Sequence, residues 1–455
     1  MAYKTAEIVP LSGNVWIDGL TDGYRWGVTP DDPAVGFTFI SDTSGEPDGQ
    51  FGGYPSWGWS DRERSRMQEA MDAIAFVSGL RFDDRGDDND ENVEIWFYNL
   101  DDRDAEDTYG YAYTPGSDPD EGLVAVNWSP YQTDDGAFKA SIASGSFYGI
   151  TFLHELCHAV GLKHPHDKGL NGQSRFPGLT RKSNEFRDKG DFSQNAHPFT
   201  QLSYVDKGAR NGYVPRKIED FGFLLTPGAL DIAALQWLYG VNRLAANGDN
   251  VYRLPVENKE GTGWQAIWDS GGRDRITAVG AVDPVTIDLR NATLGLDDHA
   301  GGYISRVDGI LGGFTIAHDW DGFNVGQPAG LCVIEVAVGG SGGDRLIGND
   351  FDNRIKGKKG PDVIYAGGGS GNRVTGGKGR DQFWIDSGTR SFVEITDFDT
   401  RRDLIVLDVD PSAVTLLPAG NSIDVLLQGA VVARLNGITR LDPDRNLLFS
   451  SFEGL

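Results

Sequence analysis

The amino-acid sequence predicts an α+β multidomain fold, in which an α/β domain is followed by an all-β domain of the parallel β-roll or sandwich type. The chain has 455 residues, which is more than one hydrophobic core usually serves. Helical and strand-like patterns alternate over residues 21–242, whereas residues 243–455 contain short β patterns separated by Gly, Asp and Asn. A nine-residue unit also repeats in the second part. We therefore predict two domains with these bounds.

The chain is strongly acidic, with a formal net charge of -26 and a pI near 4.6. Nucleic-acid binding needs clustered Lys and Arg, so this charge argues against a nucleic-acid partner and favours bound cations. No apolar run is long enough for a membrane span, and residues 1–8 lack the apolar core of a signal peptide. Cys157 and Cys332 lie far apart in the chain and do not indicate a disulfide framework.

In the first domain the sequence predicts two helices and two strands, and the second helix contains the candidate metal ligands. Ser60 and Glu63 form a capping box, after which apolar residues recur at helical spacing. Strands are predicted at residues 93–98 and 123–127, where apolar residues are frequent. A second helix is predicted over residues 147–162, and it holds the histidines described next.

Three histidines lie at intervals that suit one metal ion. His154 and His158 are four residues apart, so they stand one turn apart on the same face of a helix, with Glu155 beside them. Gly161 permits a sharp turn that brings His164 back as a third nitrogen ligand. Three protein ligands leave the fourth tetrahedral position of Zn²⁺ open, which predicts one catalytic zinc ion rather than a structural one.

Peptide hydrolysis is the reaction that such a site predicts. Glu155 is expected to take a proton from a water activated by the ion and to pass it to the leaving amine. A further donor near the metal would stabilise the oxyanion of the tetrahedral intermediate, and Tyr204 is the candidate for this role.

With this motif in place, the chain resembles the serralysins, secreted bacterial zinc proteases of the metzincin type, over nearly its whole length. The stretches that carry the resemblance are residues 110–115, 154–164, 203–204, 231–240 and 267–272. The resemblance implies a metzincin-type α/β protease domain, and it implies that Tyr204 is a displaceable zinc ligand. It also implies that an extended peptide substrate adds along an edge strand formed by Leu123, Val124, Ala125 and Val126; an interior strand is the alternative.

Two residues depart from the pattern of that family. Leu202 occupies the position where metzincins have a methionine beneath the metal, and the only methionines are Met1, Met67 and Met71. Leu and Met are similar in volume, so the exchange should cost less than about 1.5 kcal/mol and leave ligation intact. Cys157 replaces a small residue, and its position off the ligand face of the helix predicts buried packing rather than a reactive thiol.

Five nine-residue units start at Gly339, Gly348, Gly357, Gly367 and Gly376, with one extra residue before the fourth. They match the nonapeptide of calcium-binding β-rolls, in which glycines form tight turns and the sixth-position Asp supplies a carboxylate. The residues expected to bind several Ca²⁺ ions are Gly339, Gly340, Gly342, Asp344, Gly357, Gly360, Asp362, Gly376, Gly377, Gly379 and Asp381. Asn353 and Asn372 hold the sixth position in the other two units, so we expect fewer ions than a uniform array would bind.

The predicted function is that of a secreted zinc endopeptidase acting on proteins or peptides. By resemblance, a bacterial cell would export the chain without an N-terminal signal peptide, through type I secretion machinery that recognises its C-terminal region. A pro-segment is expected within residues 1–20, a proteinaceous inhibitor is a further expected partner, and the chain is expected to be a monomer. Two alternatives stay open: a catalytically impaired zinc-binding homologue, motivated by Gln201 and Leu202, and a calcium-dependent surface or adhesion protein.

Overall fold

The computed structural model describes most of the chain. The described residues are 3–43, 55–89, 91–101, 108–117, 120–133, 136–205, 215, 219–318, 332–385 and 391–451. Residues 1–2 of the predicted pro-segment and residues 452–455 of the predicted secretion region lie outside them. Over the described ranges, no helix combines the length and the apolar character needed to cross a bilayer.

The first part of the chain combines four helices with a five-stranded sheet in the residues that the structure describes. The helices are α1 (Val15–Leu20), α2 (Asp61–Val77), α3 (Gly149–Ala159) and α4 (Ala229–Tyr239). The strands are β1 (Ala6–Ile8), β2 (Tyr24–Trp26), β3 (Ala34–Phe39), β4 (Arg81–Asp84), β5 (Ile95–Leu100), β6 (Gly110–Ala112) and β7 (Leu123–Asn127). β1 and β2 form a separate antiparallel pair, and the sheet has the order β4-β3-β5-β7-β6.

The predicted helices and strands of the first part are present, and their ends differ from the prediction by a few residues. The Ser60 side chain accepts the backbone N–H of Glu63 and the Glu63 side chain returns to the backbone of Ser60, so the predicted capping box is confirmed. The strand predicted at 93–98 begins at Ile95 and continues to Leu100. The helix predicted at 147–162 is shorter at both ends, because α3 covers Gly149–Ala159.

The edge of the sheet differs from the prediction. β7 pairs in parallel with β5 on one side and antiparallel with β6 on the other, so it is an interior strand. The prediction that Leu123, Val124, Ala125 and Val126 form the edge is therefore wrong. All four are buried, and a continuous apolar run is typical of a strand covered on both faces. The edge strand beside α3 is β6.

The second part of the chain is almost entirely β. Its described strands are β8 (Val251–Arg253), β9 (Trp264–Ile267), β10 (Arg275–Thr277), β11 (Val285–Asp288), β12 (Ser305–Val307), β13 (Gly313–Ile316), β14 (Val336–Val338), β15 (Arg345–Ile347), β16 (Arg354–Lys359), β17 (Val363–Tyr365), β18 (Asn372–Lys378), β19 (Gln382–Ile385), β20 (Val393–Ile395), β21 (Leu404–Leu407), β22 (Val414–Ala419), β23 (Ser422–Leu427), β24 (Ala430–Asn436) and β25 (Leu447–Phe449). A one-turn helix, α5 (Pro443–Asn446), precedes the last of them.

Two nine-stranded sheets share these strands. One has the order β22-β23-β24-β20-β18-β16-β14-β10-β8 and the other has the order β25-β21-β19-β17-β15-β11-β12-β13-β9. From β14 to β21 consecutive strands alternate between the two sheets, and each pairs in parallel with the strand two positions along. The eighth residues of the five units are at most 1% exposed: Leu346, Ile355, Ile364, Val374 and Phe383. Each nine-residue unit thus places one apolar side chain between the sheets.

The two parts share one continuous hydrophobic cluster, and α1 lies within it. Trp16, Ile17 and Leu20 are fully buried, and the indole N–H of Trp16 donates to the carbonyl oxygen of Gly295 at 2.7 Å. The pro-segment at residues 1–20 stays a prediction. A segment that is removed without disturbing this core would have to end before α1.

Candidate metal centre and active-site cleft

The three predicted zinc ligands come from α3 and from the turn that follows it. His154 and His158 lie one helical turn apart on α3. Gly161 has a φ of +99°, and a Cβ there would overlap the backbone oxygen of Tyr24. This left-handed conformation favours glycine and reverses the chain, so that His164 faces the helix it follows.

A buried lysine fixes the loop that carries His164. The ammonium group of Lys163 donates to the backbone carbonyl oxygens of Gly19 at 2.5 Å, of Asp167 at 2.9 Å and of Ser174 at 2.9 Å. Gly19 lies in α1, whereas Asp167 and Ser174 lie in the loop after His164. The ammonium group of Lys163 therefore connects this loop to α1. Hydrogen bonds to a charged donor are roughly twice as strong as neutral ones, and the loop is held accordingly.

The imidazole rings converge through their Nε2 atoms. Nε2 of His164 lies 3.1 Å from Nε2 of His154 and 3.1 Å from Nε2 of His158. Four-coordinate Zn²⁺ with bonds of about 2.05 Å places two nitrogen ligands about 3.3 Å apart, so the observed spacing fits one ion. The three histidines are also one of the groups able to hold a metal ion.

The opposite nitrogen of each ring is already held by an acceptor. Nδ1 of His154 donates to the carbonyl oxygen of Gln201 at 3.0 Å and Nδ1 of His158 donates to that of Leu162 at 2.8 Å. Nδ1 of His164 donates to the Asp167 carboxylate at 2.8 Å. With all three protons on Nδ1, three Nε2 lone pairs face one another, an arrangement that only a cation stabilises.

Burial favours the neutral form of two of the three rings. Burial lowers the pKa of His154 well below its ordinary value and lowers the pKa of His158 to about 3. Partial burial alone would raise the pKa of the Asp167 carboxyl, but its hydrogen bond with His164 and the nearby cationic groups outweigh that effect and hold the pKa at about 2. The neutral imidazole is the state in which histidine binds a metal, and burial favours it at His154 and His158.

Glu155 lies on α3 at the wall of a cavity of about 340 Å³ that His154 also lines. Burial raises the pKa of its carboxyl to about 8. Gly110 on β6 packs directly above it, because a Cβ at Gly110 would lie 2.8 Å from Cγ of Glu155 and 2.8 Å from Cγ2 of Thr151. The edge strand β6 and the helix α3 therefore touch through a residue that has no side chain.

The Tyr204 ring packs against the metal centre. Its centroid lies 4.4 Å from that of His164 and 5.7 Å from that of His154. On its other side the exposed Phe186 ring is stacked at 5.6 Å with an interplanar angle of 13°. Phe186 was not singled out in the sequence, because nothing in its neighbourhood of basic and polar residues marks it as part of a cleft.

The cleft is bounded by the outer edge of β6 on one side and by apolar side chains on the other. In the antiparallel β6–β7 ladder, Asn127 donates to Tyr109 and Tyr113 donates to Leu123. The N–H and C=O groups of Gly110 and Ala112 alternate with these and point away from β7. Over the described residues no further strand pairs with β6. The apolar side chains that line the cavity are Tyr109, Phe147, Ile150 and Phe186.

The turn beneath the metal centre is anchored from α4. The fully buried Asp231 carboxylate accepts from Oγ1 of Thr200 at 2.6 Å and from the backbone N–H of Gln201 at 2.6 Å. Leu202, in the place of the family's methionine, is fully buried. Cys157 is fully buried too, and burial raises the pKa of its thiol, as its predicted packing role requires.

The predicted calcium residues form a ladder along one edge of the repeats, the aspartate edge (Asp344, Asp362 and Asp381). The backbone N–H of Asp344 donates to Oδ1 of Asp362 at 2.9 Å, and that of Asp362 donates to Oδ1 of Asp381 at 3.1 Å. Oδ2 of Asp362 and Oδ2 of Asp381 are buried and accept no hydrogen bond from the described residues. A buried carboxylate oxygen without a donor is costly, so a cation fits here.

Steric contacts explain why glycine occupies the turns beside the aspartate edge. A Cβ at Gly357 would overlap Oδ2 of Asp362, and a Cβ at Gly376 would overlap Oδ2 of Asp381. Gly360 has a φ of +103° and Gly377 a φ of +104°, which other residues rarely adopt. Each carboxylate is thus seated in a cradle that a side chain would fill. Gly339 has the same relation to Asp344.

A second group of carboxylates was missed by the sequence interpretation. Asp269 and Asp274 are fully buried, and the backbone N–H of Asp274 donates to Glu335 at 2.8 Å. Burial and the neighbouring negative charges of Asp269 and Glu335 raise the pKa of Asp274. Residues 267–272 belong to the stretches that carry the family resemblance, but their acidic partner Glu335 is distant in sequence and only the fold brings it close.

Comparisons with known proteins agree with the zinc motif. No family model matches the chain. Serralysin from Proteus mirabilis is 25% identical over 330 residues, which cover 67% of this chain and 58% of that protein. Serralysin from Photorhabdus laumondii is 28% identical over 354 residues, covering 73% of this chain and 63% of that protein. The metalloprotease AprA from Pseudomonas entomophila is 28% identical over 348 residues, covering 74% and 64%. The chain therefore spans less than two thirds of the length of these relatives.

Proposed function

We propose that this chain, which belongs to the serralysin family of proteases, is a secreted zinc-dependent endopeptidase that hydrolyses peptide bonds of proteins. The observation that carries the proposal is the convergence of three Nε2 atoms beside Glu155 in a cleft along β6, whose outer edge pairs with no other described strand. His154, His158 and His164 would hold one Zn²⁺ ion. The bound ion would supply Lewis-acid chemistry, which activates water and polarises a carbonyl group.

Glu155 is the proposed general base. Its buried carboxyl has a raised pKa of about 8, and a cation held by the adjacent imidazoles would favour the carboxylate again. Glu155 would accept a proton from the attacking water and would pass it to the leaving amine. Tyr204, packed on His164, would donate its hydroxyl proton in a hydrogen bond to the oxyanion, and it is the proposed displaceable zinc ligand.

The proposed substrate is an extended peptide that adds to β6. The outward N–H and C=O groups of Gly110 and Ala112 would form main-chain hydrogen bonds with it, as in β-strand addition. The apolar cavity bounded by Phe147, Ile150 and Phe186 would accept one substrate side chain beside Glu155. β6 takes the role that the sequence interpretation gave to β7.

Several Ca²⁺ ions are proposed as structural cofactors of residues 243–455. The unpaired Oδ2 atoms of Asp362 and Asp381 support sites along the aspartate edge. Extracellular calcium sites bind in the range of about 10⁻⁴ to 10⁻³ M, so this region would be completed outside the cell. Type I secretion machinery, a proteinaceous inhibitor, a pro-segment and the domain boundary at 242/243 remain part of the proposal.

Casein hydrolysis by purified protein tests the proposal. We expect hydrolysis that a chelator abolishes and that Zn²⁺ restores. Glu155→Gln should retain one zinc per chain and lose at least a hundredfold in activity, since general-base catalysis contributes about 10²- to 10⁴-fold. Glu257→Gln, at a side chain 61% exposed, is the matched control and should be fully active.

The outcomes separate the alternatives. Zinc binding by the wild-type protein without hydrolysis would indicate the catalytically impaired homologue. Absence of zinc, together with calcium binding, would favour the surface or adhesion protein. Hydrolysis that survives Glu155→Gln would overturn the mechanism.

A further inference from the structure

We propose that the second edge of the repeats, the asparagine edge (Asn353 and Asn372), binds no calcium, because side-chain amide nitrogens occupy the position of the ion. The inference rests on the proposed calcium binding of the aspartate edge. The two edges alternate along the chain: Asp344, Asp362 and Asp381 precede β15, β17 and β19 in one sheet. The asparagine edge leads instead into β16 and β18 of the other sheet.

The amide nitrogen of Asn353 is surrounded by oxygen atoms. Its Nδ2 lies 2.6 Å from the carbonyl oxygen of Phe351, 3.0 Å from that of Asn349 and 3.0 Å from that of Ala366. Oδ1 of Asn372 lies 3.3 Å away. Converging backbone carbonyls and a side-chain oxygen are the ligand types that Ca²⁺ prefers, and here an NH₂ group fills their centre.

Asn372 repeats the arrangement one step further along the roll. Its Nδ2 donates to the carbonyl oxygen of Gly369 at 2.6 Å and lies 3.5 Å from that of Gly367. Its Oδ1 accepts the backbone N–H of Asn353 at 2.8 Å. This last bond is the counterpart of the ladder bonds between Asp344, Asp362 and Asp381.

The two edges differ in charge and in hydrogen bonding. On the aspartate edge, Oδ2 of Asp362 and Oδ2 of Asp381 are buried without a donor, so negative charge there calls for a cation. On the asparagine edge the two sixth-position side chains, Asn353 and Asn372, are neutral and bring their own N–H donors, while the nearby Asp352 carboxylate already accepts the backbone N–H of Gly371 at 2.7 Å. Calcium affinity rises with the number of charged ligands, and Asn353 and Asn372 contribute none.

The opposite amide orientation is the competing arrangement. It would place Oδ1 of Asn353 against the three carbonyl oxygens, where only a cation would make the cluster of oxygens stable. The observed orientation leaves Oδ1 of Asn353 without a donor from the described residues, which costs less than an unneutralised cage of four oxygens. The inference predicts that the asparagine edge is formed before calcium arrives, whereas the aspartate edge is completed by it.

The test compares the full-length protein with Asn353→Asp/Asn372→Asp and with Asp362→Asn/Asp381→Asn. Bound calcium is counted by equilibrium dialysis of decalcified protein against buffered Ca²⁺. We expect the first variant to bind at least one more ion per chain than wild type and the second to bind fewer. In wild type, amide hydrogen exchange at residues 349–353 and 367–372 should be unchanged by EGTA, while exchange at 358–362 and 377–381 should accelerate at least tenfold.

Each outcome is decisive. A folded Asn353→Asp/Asn372→Asp variant with no extra ion, or loss of protection at 349–353 in EGTA, would overturn the inference. If that variant does not fold, the exchange experiment on wild type decides alone. If wild type binds no calcium while the variant gains an ion, the calcium part of the proposed function fails and the inference about the asparagine edge stands.

Discussion

Nδ1 of His154 donates a hydrogen bond to the backbone carbonyl oxygen of Gln201 at 3.0 Å. The imidazole ring of His154 is therefore oriented by a residue 47 positions away in the sequence. The N–H of the same Gln201 donates to the Asp231 carboxylate at 2.6 Å. Asp231 also accepts the N–H of Gly228 at 2.8 Å, at the start of α4. The orientation of the first histidine thus depends on a buried carboxylate that never reaches the metal.

Replacing Asp231 by Ala should therefore affect both stability and zinc binding. The change leaves the donors of Thr200, Gln201 and Gly228 buried without an acceptor, and each such group costs about 1–3 kcal/mol. We expect the free energy of unfolding to fall by about 3 kcal/mol or more and zinc affinity to fall about tenfold. Urea denaturation and competition with a zinc chelator measure these effects. Asp72→Ala, on the exposed face of α2, should change neither, and equal losses in both variants would contradict the anchoring role.

The Asp167 carboxylate should tune zinc affinity with little effect on stability. It accepts the Nδ1–H of His164 and is half exposed, so Asp167→Asn removes charge but keeps the shape. Mutation of such a partner typically lowers metal affinity by about 10- to 100-fold, and we expect the lower end here because the Asn oxygen can still accept the hydrogen bond. Glu185→Gln, which removes a charge near His166 on the same loop, is the control. Unchanged zinc affinity in Asp167→Asn would show that the negative charge of Asp167 does not strengthen zinc binding by His164.

Gly161 should not tolerate a side chain. At a φ of +99° an L-residue costs about 1–2 kcal/mol, and a Cβ would also overlap the backbone oxygen of Tyr24. Gly161→Ala should lower both the free energy of unfolding and the zinc affinity, because the turn that presents His164 must shift. Gly248→Ala is a matched control, since a Cβ there meets nothing within 4 Å. Denaturation curves and zinc titration of the two variants, compared side by side, check this prediction, and wild-type affinity in Gly161→Ala would contradict it.

The sequence was most informative where function depends on local spacing. The intervals between His154, His158 and His164 predict convergence because a helix and one tight turn determine it. The nine-residue period likewise predicts that one apolar side chain in each unit is buried. These features need no knowledge of distant contacts.

The sequence was least informative where a role depends on a partner brought by the fold. The apolar run 123–127 has the same pattern in an interior strand and in an edge strand, and the three residues of β6 are too few to show a period. Asp231 and Glu335 act through residues far away in sequence, and no spacing rule predicts such pairs. Phe186 stacks on the Tyr204 ring from a loop that has no regular sequence pattern, so this contact could not be predicted.

The departure at Leu202 should matter little. The residue is fully buried, and Leu202→Met conserves volume, so we expect a change in the free energy of unfolding below about 1.5 kcal/mol and the same zinc content. Leu202→Ala would leave a cavity and should cost about 2–5 kcal/mol. Denaturation and zinc analysis distinguish these cases. A large gain of zinc affinity in Leu202→Met would mean that the methionine of the family does more than fill space.

The acidic cluster of Asp269, Asp274 and Glu335 should make the calcium-free protein more stable in mild acid. Burial and neighbouring negative charge raise the pKa of Asp274 above its ordinary value of 3.8, so the folded protein holds a proton that the unfolded chain releases. The contribution of Asp274 to the free energy of unfolding therefore falls as the pH rises from about 4 towards neutrality. Asp274→Asn keeps the acceptor for the Asn250 N–H and removes the charge, so its unfolding free energy should depend less on pH. Thermal unfolding in EGTA between pH 5 and pH 8, with the exposed Asp283→Asn as control, measures the difference, and parallel pH profiles for wild type and Asp274→Asn would contradict the prediction.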